Sequence, residues 1–347
     1  MRAALTASFA LLAGAMLATA SPLGWSRSTF VPPAYDTWIW SDQGGNVCAD
    51  GSQTGFAYNM HANANELLIY FDGGGACWDT QSCFVTPMAM NLQGYNNASF
   101  QANTRPSLEN QLLLTSRDPA RSNPWSAAHY VFVPYCTGDV HAGNNVVTYP
   151  GAPAPINHHG SVNFQNILSV VAGAVPSVSN VWVTGTSAGC YGATLNYNLA
   201  KKAWPWAKTH LIADSCATTP GYLNTRPSWK INQPSGKDCP KCQVGEFNTF
   251  LPGLSQANTG SRFGSLSFAS DTVLPTFMGV TGDEFSTIIT KYFANITSTP
   301  TNQAKDFMTP GSGHGVLYVP NPASGSGTTM QSWLASMKNL RSAYKSY

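Results

Sequence analysis

Charge is scarce in this sequence, and the little that is present nearly cancels. Lys, Arg, Asp and Glu together make up 10% of the 347 residues, and the formal net charge is only +2. Proteins that bind nucleic acids or anionic membranes concentrate basic residues, because the partner's negative charge dominates such binding. The composition therefore argues against nucleic acid as a partner.

Long apolar runs are also missing, apart from one near the N-terminus. Arg2 precedes the apolar stretch 3–17, and an A-x-A motif ends at Ala20. This pattern is typical of a secretory signal peptide, which predicts removal of 1–20 and a mature chain that starts at Ser21. An uncleaved anchor is the alternative, although the run is short for a membrane span. We expect a secreted or periplasmic protein without stable membrane insertion.

Cysteine is not scarce, since the chain has eight. An even number in an exported chain predicts disulfides, whereas the sequence leaves their connectivity open. Pairing the nearest neighbours first, and then the cysteines that remain, predicts four bridges: Cys77–Cys83, Cys239–Cys242, Cys48–Cys136 and Cys190–Cys216.

No internal repeat divides the chain, so we interpret 21–347 as a single domain. Short apolar runs rich in β-branched and aromatic residues predict buried strands, at 66–71, 129–135, 181–185, 209–214 and 265–270. Helical spacing of apolar residues predicts helices between or after them, at 161–175, 283–296 and 329–347. Strands that alternate with helices favour an α/β fold with a mostly parallel sheet flanked by helices, as in α/β hydrolases. The stretch 217–262 is expected to be a loop-rich insertion near the active site.

Gly185-Thr186-Ser187-Ala188-Gly189 lies where a predicted strand turns into a helix. The pattern G-x-S-x-G in this context is a nucleophile elbow, whose tight turn exposes a serine hydroxyl at the carboxyl end of the sheet. A merely structural turn is the alternative. We interpret Ser187 as a catalytic nucleophile.

A serine hydroxyl needs a histidine as base, and the histidine needs an orienting carboxylate. Downstream of Ser187 there are two histidines, and His210 begins an apolar strand, where a structural role is expected. His314, in a glycine-rich loop, is the predicted base. Asp271 directly follows a predicted strand and is the predicted acid. Three other carboxylates stay open as alternatives: Asp214, Asp283 and Glu284.

Acyl transfer also needs N–H donors for the developing oxyanion. The backbone N–H of Ala188, directly after the nucleophile, is one predicted donor. A buried strand runs into Gly73-Gly74-Gly75, and such a loop supplies further donors. The loop lacks the spacing of a dinucleotide site and the lysine of a P-loop, so a tight turn is the remaining alternative.

Together these segments resemble the pectin acetylesterase/Notum family of α/β-hydrolase serine esterases. The resemblance covers roughly 67–317, through "YFDGGGACWD", "VFVPYCTGDVHAG", "VTGTSAGCYGA", "LIADS", "FASD" and "GSGHGVL". It implies that Ser187, Asp271 and His314 form a catalytic triad. It also implies that Gly74, Gly75 and Ala188 form the oxyanion hole. It implies no metal or organic cofactor, and it places the segment with Asp139 and His141 near the active site, where the two side chains are candidates for substrate contact.

The animal members of that family carry a bulky aromatic residue where Gly75 stands here, and they have more cysteines. The chain therefore resembles a bacterial-type member, and we do not transfer the animal members' preference for a long lipid chain. The expected function is an O-acetylesterase that acts as a monomer on acetylated polysaccharide such as pectin. The alternatives are a lipase-like or polyester hydrolase and a non-catalytic binding protein on the same fold.

Overall fold

The computed structural model describes residues 34–299, 303–340 and 344–347. The predicted signal peptide, 1–20, lies outside the described residues. Within those residues the chain forms ten strands: β1 (Ile39–Val47), β2 (Gln53–Asn59), β3 (Glu66–Phe71), β4 (His129–Val133), β5 (Asn145–Val147), β6 (Ile156–His158), β7 (Asn180–Thr186), β8 (Lys208–Asp214), β9 (Phe263–Asp271) and β10 (Ala304–Gly313). The same residues form nine α-helices: α1 (Asn97–Ser99), α2 (Arg105–Asn110), α3 (Gly160–Ala174), α4 (Ala188–Leu195), α5 (Tyr197–Ala203), α6 (Phe250–Ala257), α7 (Leu274–Met278), α8 (Gly282–Thr297) and α9 (Met330–Lys338).

Eight of the strands form one sheet in the order β1-β2-β4-β3-β7-β8-β9-β10. The last six strands of that order run parallel, whereas β1 and β2 pair antiparallel at one edge. The short strands β5 and β6 form a separate antiparallel pair. The α/β fold with a mostly parallel sheet is confirmed, as are all five predicted strands.

Both faces of the sheet are covered, so successive side chains of the central strands enter different cores. On β3, Leu67, Ile69 and Phe71 belong to the core that also contains residues of α3 and α8, whereas Leu68 and Tyr70 belong to the core that contains residues of α9. A strand buried on both faces needs a continuous apolar run. This is why the central strands were recognisable in the sequence.

Three strands of the main sheet were not predicted from the sequence, because they lie at or near the edges of the sheet. β1 is largely accessible and contains two glycines, and β2 is likewise interrupted by Gly55. β10 contains Pro310 and Gly311, where its register with β9 shifts. Proline is tolerated in a sheet at an edge or a bulge, so the sequence there resembles a loop.

The predicted C-terminal helix is shorter than expected. α9 ends at Lys338, and the N–H and carbonyl of Tyr347 instead pair with the backbone of Asp306 and Met308 on β10. The chain end therefore covers the open edge of the sheet, which would otherwise present unpaired backbone groups. Of the helices in the described ranges, the longest has 16 residues, and none has the length and apolar character to cross a bilayer.

Candidate active site

Ser187 occupies the sharp turn between β7 and α4. Its φ of 58° and ψ of −125° form a conformation that is costly for a residue with a side chain. A Cβ on Gly189 would overlap the carbonyl of Phe71, and a Cβ on Gly185 would overlap the backbone of Gly189. Glycine is therefore required on both sides. The turn holds the serine hydroxyl at the carboxyl end of the sheet, beside the N-terminus of α4.

Neighbouring strands bring Asp271 and His314 together. Asp271 is the last residue of β9, and His314 directly follows β10. Nδ1 of His314 lies 2.8 Å from Oδ2 of Asp271, whose side chain is fully buried. Oδ1 of the same carboxylate accepts hydrogen bonds from the N–H groups of Val273 and Leu274, each at 2.8 Å. The carboxylate therefore accepts the Nδ1 proton and holds the imidazole in one orientation.

The opposite nitrogen of the imidazole is free to react. Nε2 of His314 is buried and has no hydrogen-bond partner among the described residues. Ser187 and His314 line the same cavity, which has a volume of about 480 Å³. A buried polar atom without a partner costs about 1–3 kcal/mol. The unpaired Nε2 is an acceptor for a proton from a hydroxyl in this cavity.

None of the alternative carboxylates hydrogen-bonds to this imidazole in the described part of the chain. Asp283 is exposed in the first turn of α8, and Glu284 closes a capping box with Thr281. His210 is a buried residue of β8 that stacks on Trp182 at 4.0 Å and accepts a hydrogen bond from the N–H of Arg262. The expectation that His210 is structural is confirmed.

Asp214, another of those carboxylates, holds the loop that carries His314. It is fully buried at the end of β8, and its carboxylate accepts hydrogen bonds from the N–H groups of Val316 and Leu317 at 3.0 and 3.1 Å. The hydroxyl of Thr186 donates to it at 2.8 Å. Burial raises the pKa of Asp214, and this effect is larger than the opposing effect of the hydrogen bonds, which lower the pKa. The residue joins the turn of Ser187 to the loop of His314.

We expect Asp214→Ala to destabilise the protein by about 2–4 kcal/mol, because two buried N–H groups lose their acceptor. We also expect kcat for p-nitrophenyl acetate to fall about 10²-fold, since a small displacement of a catalytic group costs about that much. Urea denaturation and steady-state kinetics measure the two effects. Ser215→Ala is the matched control: it removes a hydroxyl that accepts from the N–H of Gly315 at 3.2 Å and donates to Asp214 at 3.0 Å, and it leaves the Asp214 carboxylate and its hydrogen bonds to Val316 and Leu317 in place. Unchanged activity in Asp214→Ala would show that the histidine loop keeps its place without this carboxylate.

The glycine loop after β3, Gly73 to Gly75, lines the same cavity. A Cβ on Gly75 would overlap the carbonyl of Met88, and a Cβ on Gly74 would lie 2.8 Å from the ring of Tyr135. The carbonyl of Gly74 accepts a hydrogen bond from the N–H of Met90 at 2.8 Å, so across the trans peptide the N–H of Gly75 points the other way. The N–H groups of Gly74 and Gly75 have no acceptor among the described residues. Ala188 begins α4, where N–H groups are also unpaired within the helix.

All four predicted disulfides are present. Cys77–Cys83 closes the loop that follows the three glycines, and the indole N–H of Trp229 donates to the carbonyl of Cys77 at 2.9 Å. Cys190–Cys216 joins α4 to the segment after β8. Two bridges therefore brace the segments around Ser187.

Asp139 and His141 are not brought into this group. Both are buried, and neither lines the cavity of Ser187. The Asp139 carboxylate accepts hydrogen bonds from the N–H groups of His141, Gly143 and Gly160. Nε2 of His141 donates to the backbone carbonyl of Asp72 at 2.8 Å, and burial lowers the pKa of His141 to about 4. The geometry places both residues behind the glycine loop, as its support.

Ser187 lines two cavities of very different size. The cavity of about 480 Å³ contains His314 and several polar side chains, among them Asn91, Asn103 and Ser107. A second cavity of about 10 Å³ shares Gly75 and Ser187 with the first and is also lined by Ala188, but not by His314. Its remaining walls are mainly apolar or aromatic, contributed by Ala76, Val140, Tyr191, Tyr222, Leu274, Phe277 and Met278. A space of that size is about the smallest that holds one water molecule.

One ionisable residue of the large cavity was missed in the sequence. Asp72 directly follows β3, and its Oδ1 accepts a hydrogen bond from the N–H of Gly73 at 3.1 Å. Burial raises the pKa of Asp72 to about 7, and the hydrogen bond from Gly73 opposes this shift. A carboxylate directly before the glycine loop was the available signal, since parallel strands carry their functional residues at their carboxyl ends.

Comparison with known proteins shows the family of this chain. Residues 35–222, more than half of the chain, match the family described as Pectinacetylesterase. Over 192 residues the chain is 23% identical to palmitoleoyl-protein carboxylesterase notum1' of Xenopus laevis, with 54% of this chain and 37% of that protein covered. Palmitoleoyl-protein carboxylesterase NOTUM of Drosophila melanogaster is 28% identical over 160 residues, with coverages of 43% and 22%.

The aligned stretch thus spans little more than a third of the first of these relatives and about a fifth of the second. The inactive palmitoleoyl-protein carboxylesterase notum1b of Danio rerio is also similar, with 26% identity over 102 residues that cover 29% of this chain and 69% of that protein. Because one relative is named inactive, family membership alone does not decide whether a member is catalytic. The match over more than half of its length, with the elbow and glycine loop in place, shows that this chain belongs to the pectinacetylesterase family.

Proposed function

We propose that this protein is an exported serine esterase that removes acetyl groups from hydroxyls of acetylated polysaccharide. The observation that carries the proposal is that Ser187 lines two cavities of unequal size, of which only the larger also contains His314. An ester has an acyl part and an alcohol part, and each must occupy one side of the nucleophile. The sizes of the two cavities therefore limit which esters fit.

The position of His314 decides which part lies on which side. In acyl transfer by a serine hydrolase, the histidine gives its proton to the leaving group. His314 lines the large cavity and not the small one, so the alcohol belongs in the large cavity. The acyl group then faces the small cavity, which has room for a group about the size of a methyl. Acetyl fits this description, and a long acyl chain does not.

In the proposed mechanism, Nε2 of His314 takes the proton of the Ser187 hydroxyl as its oxygen attacks the ester carbonyl carbon. Asp271 stabilises the imidazolium that forms. The N–H groups of Gly74, Gly75 and Ala188 donate hydrogen bonds to the oxyanion. The bond to the alcohol oxygen breaks, and His314 returns the proton to that oxygen.

Water then completes the cycle. His314 deprotonates a water molecule, which attacks the acetyl-enzyme, and acetate leaves as Ser187 regains its proton. These steps use only residues of the chain, without a metal or organic cofactor. The disulfides are consistent with an oxidising compartment outside the cytosol, which supports export. The monomeric state stays a prediction.

The walls of the small cavity supply a test of acyl specificity. Phe277 packs near Gly75, because a Cβ on Gly75 would lie 3.1 Å from Cζ of the Phe277 ring. We expect Phe277→Ala to raise kcat/KM for p-nitrophenyl hexanoate relative to acetate about tenfold or more, since the lost ring opens space for several methylene groups. Rates on p-nitrophenyl esters from acetate to palmitate measure the shift.

Met90→Ala is the matched control, because Met90 lines the large cavity. All substrates of the series share one alcohol, so Met90→Ala is expected to keep the wild-type ratio of hexanoate to acetate. A ratio that responds to Met90→Ala and not to Phe277→Ala would place the acyl group in the large cavity. That outcome, or a wild-type maximum at long chains, would favour the lipase-like or polyester-hydrolase alternative.

A further inference from the structure

We propose that a further cavity, next to the large one, binds additional sugar units of the same polysaccharide, so that the protein recognises a run of sugars. This inference rests on the proposed function and deepens it, because it names the length of substrate that the site takes. We call this space the outer cavity. The residues that line it include Asp50, Phe84, Asn91, Gln93, Ala154 and Ile156.

The outer cavity is about as large as the cavity that contains Ser187 and His314. Its volume is about 470 Å³, against about 480 Å³ for the large cavity. Volumes of about 300–1,000 Å³ are typical of sites that bind small molecules. Its lining, as far as the described residues define it, contains no serine, histidine or free thiol, since Cys83 is bound in a disulfide. The outer cavity is therefore suited to binding and not to ester hydrolysis of its own.

One short segment belongs to the walls of both cavities. Asn91 lines both of them, whereas Met90 lines the large cavity and Leu92 lines the outer one. Consecutive Cα atoms are only about 3.8 Å apart. A chain of sugars that leaves the large cavity across Asn91 therefore enters the outer cavity within one or two units.

Hydrogen bonds hold this shared segment in place. The N–H of Met90 donates to the carbonyl of Gly74 at 2.8 Å, and Nδ2 of Asn91 donates to the carbonyl of Tyr135 at 3.0 Å. Asn91 has a φ of 58°, in the left-handed region that asparagine tolerates better than most residues. The two cavities therefore keep a fixed relative position.

Disulfides brace two other parts of the outer cavity. Cys77–Cys83 ends directly before Phe84, and Cys48–Cys136 lies two residues before Asp50. A preformed cavity loses less conformational freedom when a ligand binds. The outer cavity is therefore a built site and not a chance gap between mobile loops.

The lining offers both kinds of contact that a sugar requires. The half-buried ring of Phe84 provides an apolar surface for the C–H face of a sugar ring. Oδ1 of Asn91, Oδ2 of Asp50 and the side-chain amide of Gln93 have no hydrogen-bond partner among the described residues, and they are available to sugar hydroxyls. Asp50, Gln93 and Ala154 are exposed, so a polymer reaches the cavity from solvent.

The test compares two lengths of one ligand: oligomers of two and of six sugars prepared from the same acetylated pectin. Binding to Ser187→Ala is measured by calorimetry, because this variant retains both cavities without hydrolysing the ester. The longer oligomer gains an apolar contact and hydrogen bonds in the outer cavity. We therefore expect it to bind roughly 10- to 100-fold more tightly than the dimer.

Two substitutions in the Ser187→Ala background fill the outer cavity from different segments of its wall. Ala154→Trp and Gln93→Trp each place an indole there, and neither residue lines the large cavity. We expect both to remove the advantage of the hexamer and to leave binding of the dimer unchanged. Both positions are exposed, and if one variant failed to fold, the other would decide.

Val146→Trp is the matched control. Val146 is 49% exposed and lines neither cavity, so the same new side chain at this position is expected to preserve the advantage of the hexamer. Equal binding of the two oligomers to Ser187→Ala, or no binding of either, would overturn the inference. It would also be overturned if the advantage survived Ala154→Trp or Gln93→Trp, or if Val146→Trp abolished it.

Hydrolysis of p-nitrophenyl acetate by the wild-type protein, measured separately, tests the proposed function. This small ester has no sugar to place in the outer cavity, so its hydrolysis does not depend on the inference. Absence of that hydrolysis with an intact preference for the hexamer would reject the esterase mechanism alone. Normal hydrolysis with equal binding of dimer and hexamer would reject the inference alone.

Discussion

Ser187→Ala is expected to lower kcat for p-nitrophenyl acetate by about 10⁶-fold, to a rate near that of the uncatalysed reaction with residual help from binding. The reason is that the elbow presents this one hydroxyl to the cavity that also contains the unpaired Nε2 of His314. Without the Ser187 hydroxyl, no oxygen is available to form the acyl-enzyme. Steady-state rates with purified protein, corrected for spontaneous hydrolysis, provide the measurement.

The variant is expected to fold like the wild type. Alanine at a φ of 58° is about as strained as serine, and no hydroxyl hydrogen bond of Ser187 to the described residues is lost. A thermal melt within a few degrees of the wild type would establish this. If Ser187→Ala folded and still hydrolysed the ester at a wild-type rate, the proposed mechanism would be wrong. No ester hydrolysis by the wild type, relative to this blank, would favour the binding-protein alternative.

Asp271→Asn is expected to cost about 10⁴-fold in kcat, with little change in the geometry of the site. The carboxylate now accepts the Nδ1 proton of His314 at 2.8 Å and leaves Nε2 as the proton acceptor. An amide can present its N–H₂ group to Nδ1 and so favour the tautomer that carries the proton on Nε2. That tautomer cannot deprotonate Ser187. The kcat for p-nitrophenyl acetate measures the loss.

Asp283→Asn is the natural control for that experiment. Asp283 is exposed at the start of α8, and it is one of the carboxylates that the sequence left open as the acid of the triad. Its replacement removes the same charge but no contact to the imidazole, and it is expected to change stability by about 0.3–1 kcal/mol through the helix dipole. A large loss of kcat in Asp283→Asn with normal activity in Asp271→Asn would identify a different acid.

The parts of this protein that the sequence determined are those with strong local signals. The central strands carry unbroken apolar runs because both of their faces are buried, and β3 and β7 are examples. The elbow around Ser187 was recognisable because its turn excludes any Cβ at Gly185 and Gly189. Proximity in the sequence predicted Cys77–Cys83 and Cys239–Cys242, which are 6 and 3 residues apart, and the other two bridges followed as the pairs that remained.

Features that depend on contacts between residues far apart in the sequence were determined only by the tertiary structure. β10 resembled a loop because an edge strand needs no continuous apolar pattern, and yet it delivers His314 to Asp271. The choice among carboxylates came from the parallel register of β9 and β10, which no single segment encodes. The two cavities likewise arise where loops from several strands meet. A local sequence pattern reflects the conformation that its own segment requires, whereas the shape and charge of a cavity depend on residues from several segments.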